Sequence, residues 1–113
     1  MEIQLKKGLL DICVLSVLKR GSSYGYKIVR DVSTCVNISE STLYPILKRL
    51  DAAGSVTTSA VEHNGRLRKY YALTEDGHNK IQTFLDEWNE IDAVYRYVRD
   101  NTITNEGELE NEP

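Results

Sequence analysis

Apolar residues crowd the first part of the chain on every side. Leu9, Leu10, Ile12, Cys13, Val14, Leu15, Val17 and Leu18 leave almost no polar face on a helix expected over residues 7–18. Such a helix must be covered on more than one side. A turn at Gly21 follows, with Ser22 or Ser23 offered as the N-cap of a second helix that turns Ile28, Val29 and Val32 inward. Gly25 weakens that helix, which close packing or backbone approach would explain. Residues 34–38 connect to the stretch ISESTLYPILKRL, where Leu43, Ile46, Leu47 and Leu50 fall at i, i+3, i+4 and i+7. An interior proline costs about 3 kcal/mol in such a helix. With Ser41 as N-cap, Pro45 becomes the fourth helical residue and its ring meets the carbonyl of a non-helical cap, which reduces the defect.

After Ala53-Gly54 the period changes. SVTTSAVEH and RLRKYYAL, rich in Val, Thr and Tyr, flank Asn64-Gly65, a strong hairpin signal. Thr74 then caps a last helix with Glu75 and Asp76 in its first turn. Along it Ile81, Phe84, Trp88, Ile91, Tyr95 and Val98 are spaced 3, 4, 3, 4, 3, an a/d seam that needs a partner. The partner is either the chain's own first helix or a second copy. From Asn101 the chain is acidic and poor in large apolar residues, so a disordered tail is expected. The expected organisation is a domain of helices and hairpin over 1–73, a partner-seeking helix over 74–100, and the tail over 101–113.

Charge sharpens this picture. The overall balance of −3 over 113 residues hides eleven Lys and Arg against six Asp and Glu in residues 1–73, and three against eleven thereafter. A basic front and an acidic back suggest that the front faces phosphate. On the third helix Ser41, Tyr44, Pro45, Lys48 and Arg49 lie opposite the apolar face, a surface suited to a phosphate backbone and base edges. Two helices, a turn and a polar-cationic third helix read as helix-turn-helix. The hairpin tip, with His63, Asn64, Gly65 and Arg66 and with Arg68 and Lys69 behind, reads as its wing.

The inventory argues against catalysis. Only His63 and His78 are present, with no nucleophile motif, phosphate-cradling loop or metal pair near either, and Cys13 and Cys35 form no CxxC. No cofactor or metal is expected; a disulfide or redox role for the two cysteines stays open. Lys6-Lys7 before an apolar run resembles a signal peptide, but Asp11 interrupts it and no cleavage site follows. A cytoplasmic protein with no membrane partner is expected. The competing reading is a winged-helix protein-protein adaptor, which need not show the steep salt dependence that phosphate contacts impose.

YGYKI, STLYPILKRLDAAG and GRLRKYYALTEDG, with their spacing, resemble the PadR-family transcriptional regulators. The resemblance implies an α+β, mostly α fold: a winged helix-turn-helix with a C-terminal dimerisation helix, as in short-tailed members. It also implies a homodimer that represses a promoter by binding a double-stranded, pseudo-palindromic operator. By position, Ser41, Thr42, Tyr44, Pro45 and Lys48 would face DNA, with Gly65 and Arg66 at the wing tip. Many relatives carry glycine where Ser41 stands. Ile81, Phe84, Trp88, Ile91, Tyr95 and Val98 would form the dimer interface. Some relatives respond to phenolic or other hydrophobic compounds. Trp88 has two readings here, simple core packing or part of a ligand site; in the second, a planar aromatic ligand, cationic by preference, is assigned to Trp88, Asp92 and Ile12, with release from DNA as the consequence.

Overall fold

A computed structural model describes the backbone of residues 3–111 and the side chains of residues 8–102. The elements are α1 (Ile3–Leu18), β1 (Ser23–Tyr24), α2 (Gly25–Val32), α3 (Glu40–Ala52), β2 (Val56–His63), β3 (Arg66–Leu73) and α4 (Glu75–Asn111). They form a winged helix-turn-helix with a three-stranded antiparallel sheet, ordered β1-β3-β2, and a long C-terminal helix. The chain divides into two compact units, Met1–Gln82 and Thr83–Pro113. Among the described residues no helix is long and apolar enough to cross a membrane.

The all-round apolar character of α1 has a direct explanation, because α2, α3 and β3 all pack on it. Leu10, Val14, Leu15, Val17 and Leu18 are buried, and Ile12 and Cys13 pack partly buried against the same core. Ile28 and Val32 of α2 close this core from another side, with Val29 partly buried beside them. Neither Ser22 nor Ser23 caps α2, contrary to expectation. The cap position is Tyr24, with no side-chain hydrogen bond. Ser23 and Tyr24 are instead drawn out as β1, paired with Tyr71 and Tyr70 of β3. A sheet ladder has replaced the serine cap.

The cap of α3 also differs from the one expected. Ser39, not Ser41, is the N-cap: its backbone is extended and its hydroxyl accepts from the Thr42 N–H at 3.3 Å. Ile38 just before it packs against the core, as does Leu43 in the next turn, so apolar anchoring on both sides of Ser39 fixes where the helix starts. Pro45 therefore lies in the second turn, and the Ser41 carbonyl lacks its usual i+4 donor. Both residues are exposed, so this carbonyl faces outward rather than into the core. At the other end, the Gly54 N–H donates to the Asp51 carbonyl and the Ser55 N–H to that of Leu50, with Gly54 at φ 77°. This Schellman ending suits glycine.

The hairpin register runs from Val56↔Leu73 to His63↔Arg66, leaving Asn64 (φ 51°) and Gly65 (φ 78°) as a two-residue turn. Within β2 only Val56 is buried, so the strands leave the core at their base and project as a wing. Thr74 caps α4 as expected, its hydroxyl accepting from the Gly77 N–H at 3.1 Å and donating to the Gly54 carbonyl at 2.6 Å.

Two expectations for α4 need correction. Ile81, assigned to the intermolecular seam, is 7% exposed and belongs to the core of its own unit. The helix also continues to Asn111 where a disordered tail was expected from Asn101. Proline, the strongest helix breaker, does not occur between those two residues. The last two residues of the expected tail, 112–113, lie outside the described residues.

Candidate nucleic-acid interface

Burial of Leu43, Ile46, Leu47 and Leu50 orients α3, so its opposite face is exposed: Ser41, Thr42, Tyr44, Pro45 and Lys48 all lie there. The Ser39 hydroxyl is 2.8 Å from that of Ser41 and 3.2 Å from that of Thr42. One cap residue thus fixes two hydroxyls in the first turn, where N–H groups and the helix dipole already favour an anion. Sequence reasoning missed Ser39, although Glu40 after it, an acid suited to a first turn, marked the true start.

Arg49 is not part of this surface. Its guanidinium turns back to pair with the Asp11 carboxylate on α1, leaving Lys48 as the outward cation of α3. A similar division occurs on the wing. The Arg68 guanidinium lies 3.9 Å over the Tyr24 ring, which meets Tyr70 edge-on at 5.5 Å. Lys69 lies 5.6 Å from the Tyr71 ring. Arg66 at the exposed tip remains free of such contacts, and among the described residues neither Lys48 nor Arg66 has an ion pair. An open groove joins helix and wing, with Tyr24, Gly25, Tyr44, His63, Asn64 and Arg66 among its lining residues. Tyr44 is 48% exposed there.

In the second unit Phe84 is half-buried, whereas Trp88, Ile91, Tyr95 and Val98 are exposed along one apolar stripe. The Phe84 and Trp88 rings stack with centroids 5.9 Å apart. Asp92, expected to attract a cationic ligand, pairs with Arg96 at 2.9 Å, so its charge already has a partner one turn away. Ile12, the third residue assigned to that ligand, packs against the core of the first unit. Cys13, partly buried, and Cys35, exposed, are free thiols. Burial, followed by proximity to Cys35, pushes the Cys13 thiol pKa up, away from the reactive thiolate.

Residues 14–83 match the transcriptional regulator PadR-like family. Among solved structures, a Streptococcus mutans UA159 protein is 38% identical, over 86% of this chain and 88% of that one, at a TM-score of 0.69. A PadR family transcription regulator from hypervirulent Clostridium difficile R20291 is 30% identical, over 78% of this chain and 95% of its own, at 0.72. Bacillus subtilis PadR in complex with operator DNA is 26% identical, over 68% of this chain and 46% of its own, at 0.64. The matched segment begins within α1, includes α3 and the whole β2-β3 hairpin, and ends in α4; the chain belongs to the PadR-like family of transcriptional regulators.

Proposed function

We propose that the protein is a cytoplasmic repressor that binds a pseudo-palindromic promoter operator as a homodimer. The observation that carries this reading is the groove lined by both Tyr44 of α3 and Arg66 of the wing tip, with Lys48 one helical turn beyond Tyr44. Ser41, Thr42 and Lys48 hold phosphates, Tyr44 and Pro45 meet base edges, and Gly65 and Arg66 follow the adjacent groove. The operator complex of Bacillus subtilis PadR supports duplex DNA as the partner. The exposed stripe on α4 supports a second copy as the other partner: Phe84, Trp88, Ile91, Tyr95 and Val98 form the seam, with residues 1–73 as the DNA-binding part. Two recognition helices would then enter major grooves roughly 34 Å apart.

A planar aromatic ligand bound at Trp88 would release the operator if it favoured the arrangement that cannot bind DNA. The Trp88-Phe84 stack supports a stacking site. The Asp92-Arg96 pair favours a neutral planar ligand over a cation.

Duplex titration over a range of salt tests the DNA reading. Each phosphate contact contributes about 0.9 to the slope of log K against log salt. Lys48→Ala and Arg66→Ala should each flatten the slope by about one contact and weaken all sequences similarly. If the double variant keeps both affinity and slope, this face does not bind DNA, and the adaptor reading takes its place.

A further inference from the structure

Gly25 opens α2 without requiring glycine's backbone freedom. The positive-φ glycines are Gly21, Gly54 and Gly65, and Gly25 is not among them. It follows a cap residue with no side-chain hydrogen bond, so α2 begins with two unfavourable choices. The missing side chain has a specific use. A Cβ on residue 25 would lie 2.7 Å from the Tyr44 hydroxyl, 3.1 Å from Cζ and 3.2 Å from Cε1. All three nearest atoms belong to the outer end of one ring, so the space at Gly25 is a seat for Tyr44.

Resting on the DNA reading of the groove, we infer that Gly25 is a specificity-determining residue: it holds the Tyr44 ring in the orientation that meets base edges. Tyr44 is half-exposed, and buried neighbours fix the backbone beneath it, Leu43 on one side and Ile46 two residues on. Its ring orientation is therefore set from outside α3, by α2. A methyl at residue 25 displaces the end of a movable ring and meets no backbone atom within the nearest contacts. The helix itself accepts it, since alanine favours helix more than glycine does. The substitution consequently separates fold from readout.

The test compares full-length wild type, Gly25→Ala, Tyr44→Ala and the double variant by selection from a random duplex pool, thermal melting and salt-dependent affinity. Gly25→Ala should melt at or above the wild-type temperature and keep its salt slope and its affinity for unrelated duplex within about twofold. At the base positions where Tyr44→Ala relaxes selection, it should lose roughly tenfold in discrimination. The double variant should match Tyr44→Ala, because no ring remains to displace. A large drop in melting temperature, unchanged discrimination, or an equal further loss in the Tyr44→Ala background would each overturn the inference. Absence of salt-dependent duplex binding by wild type is a different failure: the DNA reading falls and the inference with it. The ring resonances of Tyr44 in DNA-free protein still report the seat, by shifting in Gly25→Ala.

Discussion

Lys48 and Arg49 are adjacent on α3, and a helical turn of roughly 100° per residue gives them different surroundings. Lys48 points outward without an ion pair among the described residues, whereas Arg49 is half-buried against Asp11 of α1. Their substitutions should have opposite signatures. Arg49→Ala should lower stability by about 1 kcal/mol, a modest figure because both partners keep some solvent, and leave the salt slope of DNA binding nearly unchanged. Lys48→Ala should flatten that slope and leave the denaturation midpoint alone. Equal effects of the two on DNA binding would place Arg49 back on the phosphate-facing surface. The helical wheel identified the outward face correctly, but it could not separate these two cations. The Asp11 carboxylate that claims Arg49 is 38 residues away in sequence, and no local periodicity reports it. The same limit hid the fit of Tyr44 onto Gly25, where only the weakness of a glycine inside a helix hinted at close packing. Ser39 was a different kind of miss, because its signal was local and Ser41 offered an equally good one.

Where α3, the wing and α4 meet, one buried hydroxyl organises the joint. Ser55 donates to the Asp76 carboxylate at 2.8 Å and accepts from the Lys80 ammonium at 2.5 Å, while Thr74 bridges back to Gly54. These contacts hold the Asp76 carboxyl below its ordinary value near 3.8, first through the Ser55 hydrogen bond and then through Lys80. A depressed folded-state pKa stabilises the fold above the unfolded value, and the contribution is lost as pH falls through the folded one. Stability should therefore decline as the solution is acidified below about pH 4, and Asp76→Asn should flatten that part of the acid limb. An unchanged acid limb would mean that the carboxylate contributes nothing to this joint. Gly77 offers a sharper test, since a Cβ there would lie 2.4 Å from both the Ser55 carbonyl oxygen and Leu73 Cδ1. That oxygen is backbone, so Gly77→Ala should destabilise by about 1–3 kcal/mol, the reverse of what Gly25→Ala does. At this scale the hairpin, the Thr74 cap and the apolar face of α3 were readable, because each carries its own period or turn chemistry. The strand β1 was not, because a two-residue ladder rung has no period and is fixed only by the presence of β3.

For the whole molecule, the seam must be divided before its partner can be tested. Ile81 is enclosed by its own unit, and the Asp76-Lys80 pair lies just before it, so cutting the chain after Leu73 would damage the first unit together with any dimer. A substitution within the exposed stripe avoids this. In the proposed dimer, Ile91→Glu in the full chain would set like charges against each other across a two-fold axis without touching the core of the first unit. It should sediment as a monomer, keep its thermal transition within a few degrees, and lose tight operator binding, because each half-site then binds without the effective concentration supplied by the other. Trp88, the only tryptophan, reports the same event from inside the seam. It is 44% exposed in the single chain, so its emission should move to the blue as wild type is concentrated through its dimerisation range, and should stay red-shifted in Ile91→Glu. A concentration-independent spectrum in a protein that still sediments as a dimer would place the interface off this stripe. A neutral planar ligand that quenches Trp88 in wild type but not in Ile91→Glu would then require both chains for its site. Quenching in both would mean that the Phe84-Trp88 stack of a single helix is sufficient to bind it.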